Sequence, residues 1–203
     1  MTQSQPPDAT TRAQLIRSAC RLFAAHGYAG ASISAIAREL GLSKQALLHH
    51  FGTKSTLYAL ALEQTSAALL QLLFEAMEED RPPEDQLERF FARFLAYTQA
   101  DAAPAQLLMR ELLDHARPPD GQASPAFATL LESLVATVQA TEKWQQAGVS
   151  AALSVVAQLL GAAPMVFTAQ TALQALFGAP TLAGAQEHSA RIFSDLVSQT
   201  LRG

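Results

Sequence analysis

Residues 41–57 read GLSKQALLHHFGTKSTL. Gly41 permits a tight turn, Ser43 can cap a helix, and Leu47 and Phe51, four apart, give a short helix over 44–50 one apolar edge. At about 100° per residue, Gln45 and His49 project away from that edge, with Ala46 and Leu48 flanking them. A short helix, a tight glycine-containing turn and then this helix make the geometry of a helix-turn-helix, in which the second helix enters the major groove of DNA.

The side chains on the outward face suit that placement. Gln45 carries an amide that can bind adenine bidentately, His49 an imidazole that can donate or accept, and Ala46 and Leu48 are apolar groups of the kind that meet thymine methyls. Ser43 and Lys44 sit at a helix N-terminus, where free N–H groups and the helix dipole favour phosphate. Lys54 repeats the arrangement in the first turn of the next helix, where a cation is unfavourable unless an anion joins it. The plain alternative is a solvated surface helix. His49 and His50 do not make a metal pair, because consecutive helical residues diverge by about 100°, and no metal or other cofactor is expected.

Charge is distributed to match. The chain has 203 residues, 14 basic and 18 acidic, for a net charge of −4. Residues 1–62 hold six basic against two acidic residues (+4), and residues 63–203 hold eight against sixteen (−8). A basic end on an acidic body points to a polyanionic partner at that end. The single Cys20 excludes an internal disulfide and any CxxC pair, and reads as a small buried residue in a reducing cytoplasm. The opening MTQSQPPDATTR lacks an apolar stretch after a basic start, so no signal peptide is expected; residues 1–10 read as a disordered polar arm.

Apolar spacing is helical nearly everywhere, with no sustained alternation of period two, which makes this an all-α chain of about nine helices. The first helix starts at Thr11, with Gln14 completing a capping box; Leu15, Ala19, Leu22 and Phe23 line its inner face, and Gly27 ends it. The second follows Ser32 and stops at Gly41. The fourth follows Thr53 and runs toward EEDRPP, where Pro82 and Pro83 break it. The fifth carries an aromatic stripe, Phe90, Phe91 and Phe94, and the sixth covers about Pro104 to His115. RPPDGQASP reads as an exposed loop whose Ser124 and Pro125 open the seventh helix. Residues 144–186 are uncharged, and the last helix spans about 182–201. The division expected is a three-helix head over 11–53 and a larger body over 54–203.

At this point the residues resemble a family. ASISAIARELGLSKQALLHHFGTKSTLYALALE, residues 31–63, is similar to the DNA-binding signature of the TetR family of bacterial transcriptional regulators, and LIRSACRLFAAHGYAGAS, residues 15–32, to its first helix. The resemblance implies phosphate contacts from Ser32, Ser34, His50 and Lys54, base reading by Gln45, Ala46 and His49, and Ser43 and Lys44 at the groove edge. The sequence departs from the family pattern at Leu48, where an aromatic residue is common, and at Ala35, Ser55 and Thr56, where acidic residues are common.

A head this small reads few base pairs, so such modules act as symmetric pairs on palindromic sites. The uncharged span (about 150–177) and the last helix (182–201) are the expected homodimer surface, with Ala151, Leu153, Val156 and Leu160 as small and branched contacts; the resemblance implies a four-helix interface there. A membrane span over 151–177 is the rival, and Gln158, Gln170, Gln174 and mid-span Pro164 argue against it. The resemblance also implies a body that encloses a small, mostly apolar effector. Candidate lining residues are Phe91, Phe94, Met109, Phe127 and Trp144, with Tyr97, Arg110 and His115 as polar anchors; read without the resemblance, the aromatic stripe is ordinary core.

The reading that results is a ligand-responsive repressor that binds a palindromic operator as a dimer. Its competitors are a nonspecific DNA-associated protein without inducer and an all-α carrier or enzyme using the aromatic pocket. No HExxH, P-loop, GxGxxG or Cys/His cluster supports catalysis, so no catalytic residue is expected.

Overall fold

The computed structural model describes residues 9–77, 81–113 and 124–202, with side chains from residue 12 onward. Every regular element among them is a helix: α1 Ala9–Gly30, α2 Ile33–Glu39, α3 Lys44–Phe51, α4 Lys54–Ala76, α5 Pro83–Ala100, α6 Ala103–Leu113, α7 Pro125–Ala140, α8 Gly148–Ala162, α9 Met165–Thr168, α10 Gln170–Phe177 and α11 Ala179–Arg202.

The boundaries follow from local chemistry. Ser32, Ser43 and Thr53 each accept a hydrogen bond from the backbone N–H three residues on, at Ala35, Ala46 and Thr56, all at 3.1 Å. These bonds satisfy donors that the first turn of a helix leaves open. Gly27 (φ 69°, ψ 172°) interrupts α1, and Gly41 (φ 66°) makes the turn between α2 and α3, in backbone conformations that side chains with a Cβ rarely adopt. At the other end of the chain, Pro164 has no N–H to continue α8, and Gly178 (φ 82°) separates α10 from α11. The uncharged span is therefore cut into α8, α9 and α10, and the last helix begins at Ala179. Helix α1 likewise starts earlier than Thr11, at Ala9, so Thr11 lies inside it rather than at its cap, and the expected arm loses its last two residues to the helix. The loop expected at 117–125 lies outside the described residues except for Ser124 and Pro125, which do open α7, Ser124 Oγ accepting from Phe127 N at 3.1 Å.

One continuous core runs through the molecule. Phe23, Ile36, Leu47 and Phe51 are buried at the centre of the three-helix head, and Phe90, Phe91, Leu107, Leu130, Leu134 and Val156 fill the body. Helix α4 joins the two, packing on α1, α5, α6 and α7. Its Tyr58 meets the rings of Phe23 and Tyr28 edge-on at 5.0 and 5.1 Å and donates to the buried Glu111 carboxylate of α6 at 2.9 Å. Helices α4 and the 148–168 stretch have the length and hydropathy of membrane spans. Leu57, Leu62, Leu69 and Leu73 of α4 lie in the protein core.

Polar ties also cross from α1 to the body. Arg110 of α6 donates to the carbonyls of Ala24 (2.6 Å) and Ala25 (3.1 Å), just before the interruption of α1 at Gly27. Arg21 pairs with Asp101 at 2.9 Å.

Candidate nucleic-acid interface

Helix α3 is held from one side only. Leu47 (1% exposed) and Phe51 (4%) are buried on the side where α3 packs on α2 and α4, and the opposite side is open. Gln45 and His49, one turn apart, are both exposed there, and Ala46 and Leu48 beside them are half-buried. Ser43 and Lys44 are exposed at its N-terminus. The helix thus presents an amide, an imidazole and two small apolar surfaces on a rod whose orientation is fixed by two buried hydrophobes.

The remaining residues frame that face. Ser32 and Ser34, both exposed, mark the N-terminus of α2, although the Ser32 hydroxyl is already engaged with Ala35 N. His50 is half-buried, its ring edge-on to His49 at 5.6 Å and to Phe51 at 6.5 Å. Lys54 does not extend freely. Its ammonium sits 4.5 Å from the centre of the Tyr28 ring and 3.5 Å from the Ala29 carbonyl oxygen, and this partial burial lowers its pKa. Tyr28 is therefore the seat of Lys54, a role that no local pattern reveals because 26 positions separate the two residues. Arg12 is a second addition, its guanidinium 5.4 Å from the Phe51 ring centre, which brings a cation from α1 to the end of α3.

The described residues expected to line an effector pocket sit on α5, α6, α7 and the turn that follows α7. Phe91 packs on Phe90 and on Phe193 of α11, Phe94 stacks on Phe90, and Phe127 is buried at the start of α7. Trp144 donates to the Thr200 carbonyl at 2.9 Å, securing the end of α11. Arg110 is occupied by the α1 carbonyls, Met109 is half-buried next to it, and His115 lies outside the described residues. Tyr97 lines a cavity whose other walls come from α1, α4 and the start of α6. Among the described residues no three His, Cys, Asp or Glu side chains are placed to hold a metal ion.

The far end of the body has a different surface. Val149, Leu153, Met165, Leu176, Phe177, Ile192 and Leu196 are all between 42% and 75% exposed. Val156 and Leu160, expected as intersubunit contacts, are instead buried within the chain, because they fall on the side of α8 that meets α7.

Comparison with known proteins places the head first. Residues 15–61 match the family model for bacterial regulatory proteins of the tetR family. The HTH-type transcriptional repressor AcnR of Corynebacterium efficiens is 41% identical over 58 residues, 29% of this chain and 30% of that protein. The HTH-type transcriptional repressor SCO4008 of Streptomyces coelicolor is 32% identical over 112 residues, 55% and 54% of the respective chains. The chain thus spans about a third of the AcnR repressor and about half of SCO4008. Among solved structures, a TetR-like transcriptional regulator from Rhodococcus sp. RHA1 superposes with a TM-score of 0.67 over 98% of this chain and 100% of that one, at 19% identity, a likeness of fold.

Proposed function

From a chain that is a tetR-family protein in its head and in its fold, we propose a dimeric transcriptional repressor that binds a palindromic operator and is released by a small, mostly apolar effector. Residues 11–53 are the DNA-binding unit and residues 54–203 the effector-binding and dimerisation unit of a protein that works in the cytoplasm. The observation that carries this reading is α3, with Leu47 and Phe51 buried and Gln45 and His49 exposed one turn apart.

Gln45 and His49, with Ala46 and Leu48, read base edges in the major groove. Ser32, Ser34, Ser43, Lys44, His50 and Lys54 hold phosphates and fix the register. Two heads must lie about 34 Å apart, one turn of DNA, to read both half-sites. The apolar surface of α8 to α11 supports a twofold pairing that sets this spacing, since it would otherwise be left in water. An effector that favours a body conformation with another head spacing releases the DNA by population shift.

Selection of genomic fragments by the full chain tests the proposal. The expected result is a consensus with twofold symmetry and half-site centres one helical turn apart. Recovery of fragments without a shared sequence, with affinity set by length and salt alone, overturns it in favour of a nonspecific DNA-associated protein.

A further inference from the structure

A cavity of about 330 Å³ opens where the head meets the body, between α1, the middle of α4, the end of α5 and the start of α6. That volume is within the range of small-molecule sites. Its walls are apolar, formed by Ile16, Ala61, Ala68 and Pro104 among others. Cys20, whose thiol is hydrogen-bonded to Thr65 at 3.6 Å, makes part of the wall, and burial pushes that thiol's pKa up, which leaves it a protonated, unreactive surface.

The polar groups are few and converge. Arg17 and Arg21 come from successive turns of α1 and Asp101 from the end of α5, so the charged lining is net positive. Arg21 is paired with Asp101, and Arg17 has no acidic partner among the described residues. Tyr97 and Gln64 also line the cavity, and neither side chain has a hydrogen-bond partner among the described residues. Burial raises the Tyr97 pKa, so its phenol remains a donor near neutrality.

We infer that this seam is a binding site for a compact carboxylate with an apolar alkyl or arylalkyl body, held at its charged end by Arg17 and by Arg21 released from Asp101. An Arg pair suits a carboxylate because guanidinium N–H groups match its two oxygens. The apolar body replaces water along Ile16, Ala61 and Ala68. Because Arg21–Asp101 ties a head helix to the body, an occupant that takes Arg21 changes what fixes the head's angle. Only this last consequence, on DNA, rests on the regulator reading.

The probes are 4-phenylbutyrate and decanoate, with 4-phenylbutan-1-ol as the uncharged control, titrated calorimetrically into the full chain. Saturable 1:1 binding of at least one carboxylate, at least tenfold tighter than the alcohol, is expected. Arg17→Gln should weaken it at least fivefold, and Ala68→Phe, which fills the cavity from α4, should abolish it. Both variants are checked for an unchanged melting temperature; if Ala68→Phe does not fold, Arg17→Gln and the alcohol comparison still decide the matter. Absence of saturable binding by both carboxylates, equal binding of the alcohol, or binding indifferent to Arg17→Gln overturns the inference. Failure to select any palindromic DNA while the carboxylate still binds would remove the regulator reading and leave the site standing. Intact DNA selection without carboxylate binding would do the reverse.

Discussion

The three-helix head and the C-terminal helices dispose of apolar surface in opposite ways. In the head, Phe23, Ile36, Leu47 and Phe51 are at most 4% exposed, and the open face of α3 carries polar Gln45 and His49. In α8 to α11, Val156, Phe193 and Val197 are buried, yet Val149, Leu153, Phe177 and Ile192 are more than half exposed, and α10 has no buried residue at all. The head is complete as one chain, with an open face chosen for a polar partner. The C-terminal surface is the kind that water penalises, and at about 25 cal/mol per Å² a contiguous apolar face favours cover by another apolar face. Exposure alone does not distinguish the two regions; the chemistry of what is exposed does.

Charging the C-terminal face should break this contrast most severely. Leu153→Glu combined with Ile192→Glu places carboxylates at two exposed positions, so the fold of one chain should lose little. If the face joins two copies, sedimentation should show a shift from dimer to monomer mass. Operator affinity should fall by on the order of a hundredfold, because one head then holds only half a site. A double variant that sediments as a dimer would place the interface elsewhere.

On the head, the contrast sharpens into two distinguishable losses. Gln45→Ala should cost about 1–3 kcal/mol at one base pair and relax the preference there, leaving other positions as they were. Lys54→Met keeps an apolar body against Tyr28 while removing the charge, so it should weaken all sequences alike and reduce the salt slope by about one per head. Competition binding on a panel of single-base operator variants at several salt concentrations separates them. The same profile from both substitutions would remove the division between base reading and phosphate contact.

The head was legible in the sequence because its determinants are local. Ser32, Ser43 and Thr53 act on residues three positions away, and Gly27 and Gly41 act on their own backbone. The placement of Gln45 and His49 follows from helical geometry once Leu47 and Phe51 are assigned inward. The body was less legible because its determinants are distant in sequence. Arg110 reads as a polar anchor for an effector, and its bond to the Ala24 carbonyl, 86 positions away, is not signalled by any local pattern. Trp144 reads as pocket lining, and its indole N–H is committed to the Thr200 carbonyl. The seam cavity brings residues 16–21 against 97–104, a juxtaposition that no periodicity encodes. Pro164 was visible in the sequence as an obstacle to a membrane span, yet its more immediate effect, ending a helix, was masked by the unbroken apolar composition around it.

The smallest effect expected concerns Ser43, where a structural and a binding role overlap at one hydroxyl. Its Oγ accepts from Ala46 N at 3.1 Å, and the same N-terminus of α3 is exposed for a phosphate. Ser43→Ala removes the cap and should cost about 1 kcal/mol, which in a chain of this size lowers the melting temperature by about 2–4 °C. Ser43→Asp retains a cap and adds a negative charge favourable to the helix dipole, so stability should be kept. That carboxylate would then stand where a DNA phosphate is to bind, and DNA affinity should fall at every sequence, more steeply at low salt. Thermal melting and DNA titration of the two variants therefore move in opposite orders: alanine lowers stability more, aspartate lowers binding more. If aspartate leaves DNA affinity untouched, the N-terminus of α3 faces water in the complex, and the head meets DNA by another edge.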